Sequence, residues 1–322
     1  MYRLEFRAYR RPLKQPLRTH HGEWHDRTGI LLRISDEMGN VGYGEIAPLE
    51  WFGTESLNEA IAYCQRLSGK IDQKTILSIG DRLPTSRFGF ESAWEMLTQG
   101  EKNADADILP SCVLLPAGEK ALGEWRSHYE KGDRTFKWKI GVMDCSQELQ
   151  WLCELMNDIS EDAKLRLDAN GGLSFADAER WLDICQQFPQ VEFVEQPLPP
   201  QEFDAMLNLS DRFSTPIALD ESVAHVRQLE QCYQRGWRGI FVVKAAIAGS
   251  PRRLREFCMK PGVDVVWSSV FETAIARHYI KTRLIALLPH HRVPGFGTRA
   301  WFADAAHDQF NPLFLWHTLT PV

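Results

Sequence analysis

From about residue 110 onward, ionisable residues recur at the ends of short apolar runs: Lys139, Asp168, Glu195, Asp220 and Lys244, at separations of 29, 27, 25 and 24 residues. Such an interval accommodates one strand, one helix and their two loops. The apolar, β-rich runs lie at 111–115, 136–140, 165–167, 191–194, 216–219, 239–243 and 263–267. Amphipathic helical patterns separate them, at 146–159, 175–188, 226–235, 251–259 and 272–288. Near-continuous apolar strands alternating with helices predict a parallel sheet covered on both faces. Seven or eight such units in one run favour a closed barrel over an open, doubly wound sheet. No GxGxxG follows the first strand, which removes the main support for a dinucleotide fold.

Residues 1 to about 100 have a different texture. Tyr2–Tyr9 and Thr28–Ser35 alternate like antiparallel strands, with a hairpin turn at 36–40 and a partner strand at 41–45. The segment 17–23 reads as a polar loop, and helical patterns follow at 56–67 and 90–97. The expectation is an α+β capping domain over residues 1–100, joined by a tail at about 300–322, and a barrel over 101–299.

Composition narrows the class. Of 322 residues, 44% are hydrophobic and 25% charged, as in ordinary globular proteins, and the net charge of -6 leaves no footprint for nucleic acid. Seven scattered cysteines without a CxxC pair read as reduced thiols, and the start lacks a long apolar run. The expectation is a cytoplasmic protein with no membrane partner. No heptad or interface stripe sets an oligomeric state, which is compatible with a monomer.

In a strand over 136–140, Lys137 and Lys139 share one face while Phe136, Trp138 and Ile140 line the other. At the mouth of a barrel the carboxylates Asp168, Glu195 and Asp220 would crowd, which is unfavourable without a compensating cation. Each acid could instead be an N-cap for its following helix, and for Asp168 or Asp220 taken singly that is the better reading. All three in register, flanked by lysines and with no His or Cys nearby, suit a hard divalent ion such as Mg²⁺, with Mn²⁺ as a substitute. A lysine beside another cation in a dry pocket has a lowered pKa and can act as a base. The ion would then hold a substrate carboxylate while a proton leaves the adjacent carbon.

The segments Lys137-Trp138-Lys139, Leu167-Asp168-Ala169-Asn170, Val194-Glu195-Gln196-Pro197, Asp220-Glu221-Ser222 and Val243-Lys244, in this order and spacing, resemble the enolase superfamily in its muconate-lactonizing subgroup. The resemblance covers nearly the whole chain and implies a modified TIM barrel, (β/α)7β, under an N-terminal α+β cap. It implies that Lys139 is the acid/base, that Lys137 tunes it or contacts the carboxylate, and that Lys244 stands across the site. It further implies Asp168, Glu195 and Asp220 as metal ligands, supported by Asn170 and Glu221. The loops at 19–22 and 49–53 are placed to close over a small-molecule carboxylate, which makes Thr19, His20, Trp51 and Phe52 candidate substrate contacts.

Three features lean toward one branch of the subgroup: the short chain, the run Lys244 to Ser250, and Ser268-Ser269-Val270-Phe271-Glu272-Thr273 at the seventh strand. The implied reaction is dehydration of 2-succinyl-6-hydroxy-2,4-cyclohexadiene-1-carboxylate to 2-succinylbenzoate, a syn elimination through an enediolate in menaquinone or phylloquinone synthesis. Ser268, Ser269, Gly297 and Thr298 join the candidate substrate contacts. The alternative is an N-acylamino acid racemase or dipeptide epimerase, with Lys139 and Lys244 as bases on opposite faces of one carbon. The segment at 295–299 has no acid, which argues against a dipeptide. A mandelate-type enzyme needs a His base at the seventh strand, whereas His278 falls in a helix, where a solvated role is expected. A non-catalytic, carboxylate-binding barrel is the remaining reading; catalysis needs Lys139 nearly neutral, so a pH–rate profile separates the two.

Overall fold

The computed structural model describes residues 1–19, 22–100, 110–288, 292–298 and 301–321. Its first sheet is antiparallel: β1 (Tyr2–Thr19), β2 (Gly22–Ser35) and β3 (Val41–Ile46) lie in that order, and β4 (Gly69–Ile71) pairs with β1. Further along the same edge of β1, away from β2, the strand Thr320–Pro321 pairs with Tyr9 and Arg10. The hairpin turn forms as the sequence implies, with the Asp36 carboxylate accepting from the amides of Met38 and Asn40 and with Gly39 left-handed.

Two expectations are corrected here. Of the polar segment expected as a loop at 17–23, Leu17–Thr19 and Gly22–Glu23 belong instead to the far end of the β1–β2 ribbon, pairing Leu17 with Trp24 and Arg18 with Glu23, while His20 and His21 lie outside the described residues. Register shifts between Pro12 and Leu17, in a stretch whose Pro12 and Pro16 have no amide hydrogen to donate to the ladder. The helix expected at 90–97 starts earlier: α3 spans Pro84–Gln99, after α1 (Leu57–Arg66) and α2 (Gln73–Leu77). Its free amides at Thr85 and Ser86 donate to the buried carboxylate of Glu55, at 3.2 and 2.7 Å, a cap supplied from 30 residues away in the chain.

Helix α3 packs on β3 at backbone distance. A Cβ at Gly44 would lie 2.1 Å from the Gly89 carbonyl oxygen, and one at Gly42 would lie 2.0 Å from that of Ala93. The other face of α3 meets the barrel, where Glu91 accepts from Ser250 Oγ at 2.5 Å and Glu95 accepts from Tyr279 Oη at 2.5 Å.

The second sheet is parallel and runs in chain order: β5 (Val113–Leu114), β6 (Thr135–Lys139), β7 (Lys164–Asp168), β8 (Val191–Glu195), β9 (Ile217–Leu219), β10 (Ile240–Val243) and β11 (Asp264–Trp267). It is covered by α4 (Ala121–Tyr129), α5 (Cys145–Asp158), α6 (Phe175–Cys185), α7 (Phe203–Arg212), α8 (Val226–Gln234), the short α9 (Ala245–Ala248), α10 (Pro251–Cys258) and α11 (Ala274–Tyr279). An eighth position closes the ring. The Gly295 amide donates to the Trp267 carbonyl at 2.7 Å and the Cys112 amide donates to that of Pro294 at 2.9 Å. The architecture is therefore the (β/α)7β barrel with an antiparallel cap.

The alternation in β6 works as expected: Phe136 and Trp138 are buried against Trp125 and Trp181 of the helical layer, and the two lysines point the other way. The helical pattern at 272–288 resolves into α11 followed by a π-turn at Ile280–Leu284 and a 3-10 turn. His278 lies in α11 but is not simply solvated, since its ring stacks on Phe310 at 3.6 Å.

The close contact of α3 with β3 generates a stability test by urea denaturation. Gly44→Ala is expected to cost about 2 kcal/mol through overpacking. Gly123→Ala, at an exposed position of α4 with open space around it, is expected to add about 0.5 kcal/mol.

Candidate active site

The ends of β6, β7 and β8 are in register, with Lys139 opposite Asp168 and Asp168 opposite Glu195. Asp220 directly follows β9, and Lys244 directly follows β10. The parallel strands thus deliver five ionisable groups to one mouth of the barrel. Lys137 Nζ bridges Asp168 Oδ2 and Glu195 Oε1, each at 2.7 Å, and Lys244 Nζ pairs with Asp220 Oδ1. Lys139 feels the charge of Asp168, its neighbour across the strand pair, and forms no hydrogen bond among the described residues.

Burial alone would pull Lys137 down, but the charges of Asp168, Glu195 and Asp220 hold its ammonium well above the ordinary lysine value. Asp168 stays low despite its burial because of Lys137 and Lys139. Glu195 goes the other way: burial, and then the adjacent Asp168, push it up to about 8. Burial and the neighbouring Asp220 likewise push Glu221 up to about 7, although Asn170 Nδ2 donates to its Oε1 at 2.9 Å. Its other oxygen is buried with no hydrogen-bond partner among the described residues.

The strand exits are held by residues whose roles the sequence reading missed. Gln196 is fully buried. Its Nε2 donates to the Leu198 carbonyl and to Ser222 Oγ, both at 2.8 Å, while its Oε1 accepts from the amides of Asp220 and Ser222. One amide side chain thereby ties the exit of β8 to that of β9. Glu148, in the first turn of α5, accepts from the amides of Gly141, Val142 and Met143 and so fixes the turn that leaves Lys139. The only signals in sequence were Gln196 within a quoted motif and an acid near a helix start. Among the described residues, the non-glycine residues with positive φ are Asn170, Gln196 and Phe271, all at strand exits on this mouth. Backbone strain of this kind concentrates at functional sites.

The expected substrate contacts divide. Phe52, on the turn Glu50–Phe52, lies with its ring 4.4 Å from Lys244 Nζ. Trp51 packs edge-on against Trp24 at 4.5 Å, and Trp24 meets Phe271 at 5.8 Å, so these rings form an aromatic wall. Ser269 Oγ donates to the buried Glu272 at 2.9 Å and contacts Thr298 Oγ1 at 3.2 Å, which makes this pair a support under the seventh strand end. A Cβ on Gly297 would lie 2.8 Å from the Cys112 carbonyl oxygen, so that position serves a close backbone approach. Ser268 is bridged to Gly295 at the barrel seam. Thr19 ends β1, and His20 lies outside the described residues.

Among the described residues, no three carboxylate, imidazole or thiol groups converge closely enough to share one ion, because lysine ammonium groups stand between the acids. The donor set nonetheless fits a hard divalent cation. It is all oxygen, it is buried, and one Glu221 oxygen has no hydrogen-bond partner among the described residues, while burial and the adjacent acids raise Glu195 and Glu221.

Comparison with known proteins agrees with this geometry. Residues 121–312 match the enolase C-terminal domain-like family, and residues 1–97 match the MenC N-terminal domain. The o-succinylbenzoate synthase of Thermosynechococcus vestitus is 41% identical over 304 residues, 93% of each chain. The L-Ala-D/L-Glu epimerase of Bacillus subtilis is 23% identical, covering 82% of this chain and 79% of its own. Among solved structures, o-succinylbenzoate synthase from Thermosynechococcus elongatus BP-1, complexed with Mg in its active site, superposes with a TM-score of 0.87 at 40% identity over 94% of both chains. The substrate-liganded Bacillus subtilis epimerase shares the fold, with a TM-score of 0.74 at 21% identity over 96% of this chain and 91% of that one. On the barrel match together with the relative that spans nearly its whole length, the chain belongs to the o-succinylbenzoate synthase family of the enolase superfamily.

Proposed function

We propose that this chain is an o-succinylbenzoate synthase, a lyase that dehydrates 2-succinyl-6-hydroxy-2,4-cyclohexadiene-1-carboxylate to 2-succinylbenzoate in menaquinone or phylloquinone synthesis. The observation that carries the reading is the relative of that name, 41% identical over 93% of the chain. The buried acids between Lys139 and Lys244 supply the chemistry such a reaction needs. Residues 1–100 and about 300–322 act as the cap in this reading, and 101–299 carry the reacting groups. Asp168, Glu195 and Asp220 would hold Mg²⁺, with Asn170 and Glu221 behind them. When bound, the ion supplies positive charge toward the substrate's carboxylate.

Lys139, as the free amine, removes the proton from the carbon that bears the ring carboxylate. The ammonium so formed returns that proton to the departing hydroxyl, which leaves as water as the ring becomes aromatic. Lys244 acts as a cation that contacts the Phe52 ring and faces the electron-rich ring system of the substrate. These contacts suit a dehydratase better than a racemase, where Lys244 would have to take up a proton as readily as Lys139. Trp51 and Phe52 exclude water from the mouth. The scattered free cysteines suit the cytoplasm, and no helix among the described residues is long and apolar enough to cross a membrane.

Loss of the cyclohexadiene chromophore tests the reaction. The wild type is expected to consume the substrate only with Mg²⁺, EDTA to stop it, and Lys139→Ala to lower kcat by about 1,000-fold or more. Near-normal turnover by Lys139→Ala with the metal present would overturn the assignment of the base. Thermal and urea unfolding test the charge balance. Lys137→Met, which leaves Asp168 and Glu195 without their shared cation, is expected to destabilise the metal-free protein by about 2–3 kcal/mol. Saturating Mg²⁺ should recover a substantial part of that loss, and equal losses with and without the ion would argue against a metal at these acids.

A further inference from the structure

Two turns face each other across the mouth, and one side chain joins them. The turn Glu50–Phe52 carries Phe52, and the short helix that follows Lys244, Ala245–Ala248, carries the lysine under that ring. His225 lies between them, just before α8. Its Nε2 is 3.0 Å from the Gly53 carbonyl oxygen and its Nδ1 is 3.2 Å from that of Ile247. Carbonyls only accept, so the ring donates to one of them in either neutral tautomer and to both as the imidazolium. Gly53 makes room for this contact. It is left-handed, at φ +80°, and a Cβ there would stand 3.3 Å from Nε2.

The other end of the Phe52 loop is fastened independently. The buried Arg27 guanidinium donates to the carbonyls of Ala47 and Pro48, at 2.6 and 3.0 Å, and also to that of Val270 at 3.0 Å. Within the loop, the Leu49 amide donates to Thr54 Oγ1 at 2.8 Å. The loop is therefore anchored to the cap at its start, and His225 links its far end to the barrel turn that presents Lys244.

We propose that His225 is a positioning residue for the reaction: it sets Phe52 against Lys244 by tying their two turns together. His225 acts through Phe52 and touches no reacting atom. The inference rests on the dehydratase reading for its kinetic consequence, but the tether itself is measurable without turnover.

The test is a double-mutant cycle with a rescue. His225→Ala is expected to lower kcat/KM about five- to tenfold, mainly by raising KM, because substrate must then order the loop that the tether held. His225→Gln, whose amide can still donate, is expected to recover most of this. In a Phe52→Ala background, His225→Ala should add less than a twofold further loss, since the ring it positions is gone. Equal losses in the two backgrounds, or none in the first, would overturn the proposal. Hydrogen exchange of residues 49–56 in the substrate-free protein separates the two readings. Faster exchange in His225→Ala than in wild type sustains the tether even if the wild type fails to consume the cyclohexadiene, whereas unchanged exchange overturns the tether whatever the reaction proves to be.

Discussion

The site depends on one electrostatic constraint: acids on adjacent strands, in register and out of water, cannot all stay charged without cations among them. Asp168 and Glu195 are direct neighbours across β7 and β8, and Lys137 reaches both. Asp220, one strand further, is met from the far side by Lys244. The compensation is incomplete, and the remainder appears at Glu195 and Glu221, whose protons are held near neutrality by burial and by the acids beside them. A divalent ion at such a place finishes a balance that the lysines begin. The barrel is what makes the crowding possible, because parallel strands in register bring every exit to the same level.

Holding those exits still falls to groups with no chemical part in the reaction. Gln196 satisfies four polar partners from inside the wall, and Glu148 gathers three successive amides of the turn after Lys139. Each replaces contacts that water would otherwise make to loop backbone, and each is buried, so its bonds are not diluted by solvent. The left-handed residues Asn170 and Gln196 are sustained by this scaffolding.

Much of the architecture was legible because it is periodic. Strand ends recurring at nearly one interval define βα units, and the alternation in 136–140 puts both lysines on the inner face whatever the details of the barrel. What escaped were features set by partners far away in the chain. Helix α3 begins at Pro84, a residue suited to the first helical position, but Leu83 before it makes no side-chain cap and the capping carboxylate comes from the remote Glu55. The β1–β2 ribbon continues at Leu17–Thr19 and Gly22–Glu23, residues too polar to read as strand, where they pair along the backbone. At the seventh strand, Ser269 gives its hydroxyl to Glu272, a pairing that the motif alone does not announce. Lys137 was read partly as an electrostatic neighbour for Lys139, and the geometry shows its ammonium engaged with two carboxylates. Motif positions revealed which groups gather at the mouth, but not which of them hold one another.

Helix α3 has a consequence for how a substrate gets in. Its glycine-lined contact with β3 places backbone against backbone, and its opposite side is bonded to the barrel through Glu91 and Glu95. A hinge between the two halves would have to tear one of these faces open, and on the barrel side it would strip the buried Glu95 of its donors Tyr279 and Arg255. Admission and release must instead take place by bending of the loops at the rim, with the two sheets staying fixed relative to each other. The rate at which product escapes would then be governed by the bonds that fasten a few rim residues, such as those of Arg27 and His225 to the Phe52 loop, and not by the motion of a whole cap.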